Sequence, residues 1–445
     1  MASRITRRAW AAALGLCAAT FAVPGARAQE KTEITLARFF GACESDYGSS
    51  TDVAQARGEC GVITTLVNLF NATNKEIVVK PQIIEWGPYY QQLTARFAAR
   101  DIPTIAVMHS AQVGDFVRAR MVQPIGDELK AAGIDPADFT PNARAGVTLD
   151  DKIYAMPWDT HSWLWHLNVN LFKQAGLVDE KGEPILPKTV EEMLAQAKTV
   201  REKTGKPYIV IATTASGDEA NGARGFYSWL YDQNGTIFPN GYDKADFNTP
   251  AARTAFETWS KLVQTGAVTK GLDSGGSVSA FLNGGGAVFM TGTWRVDILL
   301  AASEKPDSPL HDGYTARVFP SLFGEQHVWT DNHTWVMPRG GATEKQRKAA
   351  LVFLKFMWDH NLDWARAGHL PARQSVMNNY AKLPLRQYLV DIPSFGRAAP
   401  HDVRRQFGFQ NLIGNEVAAM INTGKSVDAA IASAQDRSEQ LLRGR

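Results

Sequence analysis

Short, wholly apolar segments that alternate with amphipathic ones constrain this chain most. "IAVMH" (Ile105–His109) and "YIVIA" (Tyr208–Ala212) are too short for helices and lack the polar alternation of a half-exposed strand. Such segments fit strands covered on both faces. Glu33–Phe40 and Ala287–Met290 read the same way, and Glu76–Trp86 reads as a strand that Pro81 confines to an edge or an irregularity. Helical segments separate them. In Val62–Thr73, residues Ile63, Leu66, Val67 and Phe70 share one face. Pro88–Arg100 is a second helix. Thr189-x-x-Glu192 and Thr343-x-x-Gln346 are capping boxes, and Thr249-Pro250 is an N-cap followed by proline at the first helical position. The alternation predicts an α/β protein built on parallel sheets.

The N-terminus is expected to be removed. Arg4, Arg7 and Arg8 precede an apolar run, Trp10–Val23, and a small-residue cleavage site, Ala26-Arg27-Ala28, so residues 1–28 read as a secretory signal peptide. The run is shorter than the about 20 residues that a bilayer-spanning helix needs. Arg7-Arg8 leaves general and twin-arginine export both open, and the bulky Leu16 before Cys17 disfavours a lipid anchor. A soluble periplasmic protein is the expectation. A chain of 445 residues suits two domains, each with its own core. The formal charge is only +2, and the leader removes Arg4, Arg7, Arg8 and Arg27 without an acid. A near-neutral chain lacks the basic excess of a nucleic-acid binder. Outside the leader stand Cys43 and Cys60, flanking the polar loop "ESDYGSSTDVAQARGE". In an oxidising compartment they are expected to pair, the alternative being two free thiols.

Familiar reaction motifs are missing. The sequence has no HExxH, no CxxC and no GxSxG. "TGKS" (Thr423–Ser426) is not a phosphate loop, because Ala419 stands where the motif needs glycine. What stands out instead is "PWDTHSWLWHLN" (Pro157–Asn168), which interleaves tryptophans, histidines and a carboxylate. A sugar presents flat C–H patches and a rim of hydroxyls, each both donor and acceptor. Aromatic faces match the first and charged or polar side chains the second. Trp158, Asp159, His161 and Trp163 are therefore ligand-binding candidates. His166 and Trp165 read as core. Glu85 and Trp86 follow one strand and His109 ends another, the usual place for a ligand in an open α/β sheet.

Several stretches in order resemble the extracellular solute-binding proteins of ABC sugar importers, in their maltodextrin-binding-like branch. They are "DDKIYAMPWDTHSWLWHLNVNLFKQAGL" (Asp150–Leu177), "PKTVEEMLAQAKTV" (Pro187–Val200), "FLNGGGAVFMTGTW" (Phe281–Trp294), "NHTWVMPRGGATEKQRKAALVFLKFM" and "AGHLPARQSV" (Ala367–Val376). Val190 and Asp150 depart from the family pattern, which often has Trp and Gly there, and the Cys43–Cys60 insertion is not universal. The resemblance implies a type II-like periplasmic-binding fold: two lobes, each a sheet flanked by helices, joined by crossing hinge strands. Lobe one would be 29–157 plus 313–368, and lobe two 158–312 plus 369–445. It implies a monomeric, non-catalytic receptor that holds a saccharide between the lobes, needs no cofactor or metal and docks on ABC permease subunits. It places a stacking platform at Trp294, a cleft-facing aromatic at Trp335 beside Asn332 and His333, and a hydroxyl-binding arginine at Arg373. Two rivals remain. One is a receptor for a polyol or glycerol phosphate. The other is a secreted glycosidase using acids such as Asp159, Glu85 and Asp331, which would have to stand about 5 to 10 Å apart.

Overall fold

The computed structural model describes residues 30–214 and 220–443. The expected signal peptide and its cleavage site lie outside them. Two sheets carry the fold. The first has five strands in the order Ile77–Ile83, Thr32–Arg38, Ile105–His109, His333–Val336 and Met156–Pro157. Its first three strands are parallel, and His333–Val336 runs antiparallel to Ile105–His109. All five residues of Ile105–His109 are buried, as an unalternating apolar segment requires. Helices Gly58–Thr73 and Glu344–Asp359 share this core, contributing Ile63, Leu66 and Phe70 from the first and Phe353 and Leu354 from the second.

The second sheet is organised around one strand, Asp159–Asn168, all ten of whose residues are buried. Val288–Gly292, Tyr314–Val318, Val328–Asp331 and Leu370–Pro371 each pair with it antiparallel. This corrects the expectation of parallel sheets, which holds for the first three strands of the first sheet. A short buried apolar strand has the same composition in either orientation, so the pattern cannot set direction. Ile209–Val210 extends this sheet parallel to Val288–Gly292. The second core gathers Trp163, Trp165, Tyr208, Trp229, Trp259, Phe289 and Phe409.

The chain passes between the sheets at Pro157–Asp159 and again at Asp331–His333, where neighbouring strands belong to different sheets. Tyr314, Phe319 and Trp329 pack in the second core, so the return to the first comes at His333 rather than at the expected 313. The pairing of Tyr314–Val318 with Leu164–Asn168 holds them there. Capping follows the sequence closely. The Thr189, Thr249 and Thr343 side chains each accept from the backbone N–H of the third residue of their helix, and the Thr343/Gln346 box is reciprocal. Cys43 and Cys60 are disulfide-bonded, which ties the intervening loop to the start of the helix Gly58–Thr73. No described helix is long and apolar enough to cross a membrane.

Candidate functional site

A cavity of about 520 Å³ lies where the two sheets meet. Phe39, Phe40, Glu59, Glu85, Trp86, His109 and His333 line it from the first sheet's side. From the other come Asn221, Arg224, Ser274, Ser277, Phe289, Thr291, Trp294 and Arg295, with His161 at the crossing. Five of the residues proposed from sequence are therefore in its wall: Glu85, Trp86, His109, His161 and Trp294.

Trp86 leaves the end of Ile77–Ile83 and packs on Phe39, with ring centres 4.9 Å apart, and on His109 at 4.8 Å. Across the cavity, Trp294 follows Gly292 at the end of its strand. The guanidinium of Arg224 sits 4.9 Å from the Trp294 ring centre and 5.0 Å from that of Trp329. Gly292 is needed for close approach, since a Cβ there would lie 2.0 Å from Cζ3 of Trp294. Two half-buried tryptophans thus face a shared space rimmed by carboxylates, imidazoles, hydroxyls and guanidinium groups.

The other five residues lie outside the cavity lining. Trp158 is fully buried in the first core, stacked on Trp364 at 4.0 Å and edge-on to Trp335 at 4.5 Å. Trp335 is equally buried. Residues two apart share a strand face, but only the start of His333–Val336 reaches the cavity, so His333 lines it while Trp335 lies under the sheet. Trp163 is buried behind Trp294 and Arg224, with ring centres 6.0 Å from the former. The Arg373 guanidinium bonds Asp138 and Ser375 at 2.9 Å, an ion pair in place of the ligand contact that the resemblance implies. Asp159 is buried and spent on the protein itself. It accepts from His333 Nδ1–H at 2.7 Å, from the His333 backbone at 3.0 Å, from Trp364 Nε1–H at 2.6 Å and from His161 Nδ1–H at 3.3 Å. Among the acids weighed as a catalytic pair, Asp331 is bonded to Ser110 and to backbone N–H groups, which leaves Glu85 alone of the three in the cavity wall.

The sequence profile described as bacterial extracellular solute-binding protein matches residues 49–360. The chain belongs to that family. This solute-binding protein is 28% identical over 210 residues to the sn-glycerol-3-phosphate-binding periplasmic protein UgpB of Shigella dysenteriae serotype 1 (strain Sd197), a match covering 43% of this chain and 44% of the relative. The matched stretch thus spans under half the length of that curated relative. In fold it is similar to the cyclic alpha-maltosyl-1,6-maltose binding protein of Arthrobacter globiformis, with a TM-score of 0.70, 20% identity and coverage of 94% and 100% of the two chains. It is also similar to the GacH receptor of Streptomyces glaucescens GLA.O, at a TM-score of 0.75, 18% identity and coverage of 94% and 100%. The fold class expected from sequence is the one these structures share.

The hydrogen bonds of this solute-binding protein set what its cavity offers. Burial alone would raise the Asp159 carboxyl. The charges of His333 and His369 and the bonds from His161 and His333 outweigh it and hold Asp159 well below the usual carboxylate range. Burial works against the His333 cation, but the Asp159 charge and hydrogen bond raise its pKa nonetheless. An ionised carboxylate only accepts, so His161 and His333 carry protons on Nδ1. Burial, reinforced by His333, lowers His161 to about 3, so its ring is neutral and its Nε2 is an acceptor. Tyr90 Oη accepts from the His109 backbone N–H and stands 2.8 Å from His109 Nδ1. The hydroxyl proton then goes to Nδ1, which leaves His109 Nε2–H a donor. Burial and the neighbouring imidazoles push His109 well below its ordinary value and keep it neutral. Sequence reasoning missed Glu59, Arg224, Arg295 and His369. Glu59 sits in the disulfide-bound insertion and Arg224 in a helix whose aromatics read as core.

Proposed function

We propose that this solute-binding protein captures a neutral mono- or oligosaccharide in the cavity between its sheets and delivers it to the permease subunits of an ABC importer. It does so as an exported periplasmic monomer without catalysis. The observation that carries this is the pairing of Trp86 and Trp294 on opposite walls with hydrogen-bonding groups of both polarities between them. Stacked sugar rings bury C–H faces on the indoles. His161 Nε2 accepts, His109 Nε2–H donates, and the Glu85 carboxylate accepts from sugar hydroxyls. The residue assignments Trp86, Trp294, Glu85, His109 and His161 belong to this proposal, as does the division into two lobes that close on the ligand. The oligosaccharide ligands named for the Arthrobacter protein and the acarbose of the Streptomyces receptor support the same class.

One observation favours a second reading. Arg224 and Arg295 both line the cavity, and the Shigella relative is named for glycerol 3-phosphate. The carboxylates Glu59 and Glu85 in the same wall work against an anion. Tryptophan fluorescence titration of residues 29–445 against mono- and disaccharides, polyols and glycerol phosphates separates the two. The proposal expects saturable quenching or enhancement with a neutral sugar, recovered chemically unaltered. Response to phosphorylated compounds alone would select the second reading, and recovery of cleaved sugar would make the protein a glycosidase.

A further inference from the structure

At the cavity wall and just beneath it lies a cluster of ligating groups, of which only His161 and His333 reach the cavity proposed to hold the saccharide. Asp159, His161, His333 and His369 each offer a donor atom, and these four atoms lie within 4.8 Å of one another, all on buried residues. They come from three separate segments of chain. Asp159 and His161 stand on the crossing strand, His333 begins the return to the first sheet and His369 directly precedes Leu370–Pro371, which pairs with the crossing strand.

The rings are spaced as ligands of one ion. Their centres are 4.4 Å apart for His161–His333, 5.3 Å for His333–His369 and 6.0 Å for His161–His369. Imidazoles around a tetrahedral ion at bonds of about 2.0–2.1 Å put ring centres roughly 5 Å apart. Their orientation is also prepared. Asp159 holds Nδ1 of both His161 and His333, and no hydrogen bond to another described residue engages either Nε2. A carboxylate on the far nitrogen is the arrangement that fixes a metal-binding imidazole and raises its basicity. His369 Nε2 meets Glu59 Oε1 at 3.0 Å, and Thr293 Oγ1 stands 3.1 Å from its Nδ1. A shift of the His369 proton to Nδ1 leaves Thr293 as acceptor and frees Nε2.

We propose that His161, His333 and His369 bind a borderline divalent transition ion of the Zn²⁺ class through Nε2, with Asp159 orienting two of the rings. Imidazole-rich, sulfur-free ligation selects this class over Mg²⁺ or Ca²⁺. His161, His333 and Glu59 line the cavity, so the ion presents its remaining position to the cleft, where a solute oxygen or Glu59 completes the shell. The site stands on the cluster alone; with the ion bound, Nε2 of His161 and His333 is occupied and the ion takes over their contact with a solute.

The test is calorimetric titration of Zn²⁺ into tag-free, chelator-treated protein (residues 29–445) with no sugar present. One ion per chain is expected. His161→Ala and His369→Ala, checked for folding by circular dichroism, should each weaken it by more than the roughly 10–100-fold of an outer-shell change. Absence of binding, or wild-type affinity in both variants, overturns the site. Should the variants fail to fold, Co²⁺ added to the wild type decides. A visible spectrum unlike that of the aquo ion supports ligation by these imidazoles, and an unchanged one overturns it. Because no sugar enters either assay, failure here is distinct from failure of the saccharide reading.

Discussion

The ring of Trp294 occupies the space that a side chain on Gly292 would need: a Cβ on Gly292 would fall 2.0 Å from Cζ3 of Trp294 and 2.2 Å from Cη2. The backbone at Gly292 is extended, with φ −99° and ψ −179°, a conformation open to any residue. The glycine therefore serves the ring and not the turn. Gly292→Ala should displace the indole from the cavity wall and weaken saccharide binding by at least about tenfold, with a smaller effect on stability than on affinity. Parallel binding and denaturant titrations check this. Equal affinity would mean that the ring need not stand where it does.

Arg373 offers the opposite contrast. Its guanidinium is engaged by Asp138 and Ser375 and lies near Asp359 and Trp358. Arg373→Ala should lower the unfolding free energy by about 1–2 kcal/mol while leaving saccharide affinity within about 0.5 kcal/mol of the wild type. A large loss of affinity with little loss of stability would restore the hydroxyl-binding role that the family resemblance implies.

Asp159 anchors the crossing. With Asp159→Asn, the His333 imidazole loses the charge that raises its pKa, and the buried donors His333 N–H, His161 and Trp364 Nε1–H lose their ionised acceptor. The cost should be about 3–5 kcal/mol at neutral pH, read from urea unfolding. A change under about 1 kcal/mol would show that the network carries little of the stability.

His166 supplies a pH dependence. Burial is the larger cause lowering it to about 3, partly opposed by its bond to Gly292 O. The folded value lies below the unfolded 6.5, so the unfolded chain binds a proton that the native state refuses. Its contribution to stability is therefore lost as pH falls from about 6.5 toward about 3, with a slope of about 1.4 kcal/mol per pH unit. His166→Gln should flatten the acid limb of the stability profile by one proton. An unchanged slope would contradict the burial argument.

Reduction of Cys43–Cys60 should lower the unfolding free energy by about 3 kcal/mol. The bond also fixes the helix start whose Gly58 backbone N–H donates to Asp297 at 2.8 Å and whose Glu59 reaches the cavity. Thermal melts with and without reductant test this, and identical melting would show that the loop is held without the bond.

Much of this fold was legible in the chain. The apolar strands, the capping threonines and the ordered motifs marked an α/β architecture crossed by a strand at Asp159. Sheet direction was not legible, because apolar strands look alike whichever way they run. The lining of the candidate cavity was legible where geometry is local. Glu85, Trp86 and His109 sit at strand ends, and Trp294 follows a glycine that admits its ring. It failed along the strands themselves. Trp158 and Trp335 are chemically as suited to stack on a ligand as Trp86, and only the depth at which each strand enters the first core decides that they pack on Trp364 and on each other. His369 and Glu59 escaped notice because their partnership spans most of the chain.

Calorimetric titration of the responsive saccharide into wild type, Trp86→Ala and Trp294→Ala in parallel tests the central claim most directly. The account predicts micromolar or tighter binding for the wild type and a loss of at least about 1.5 kcal/mol in each variant, with folding intact. Saccharide binding that survives both substitutions unchanged, or no binding of any neutral sugar by the wild type, would contradict it.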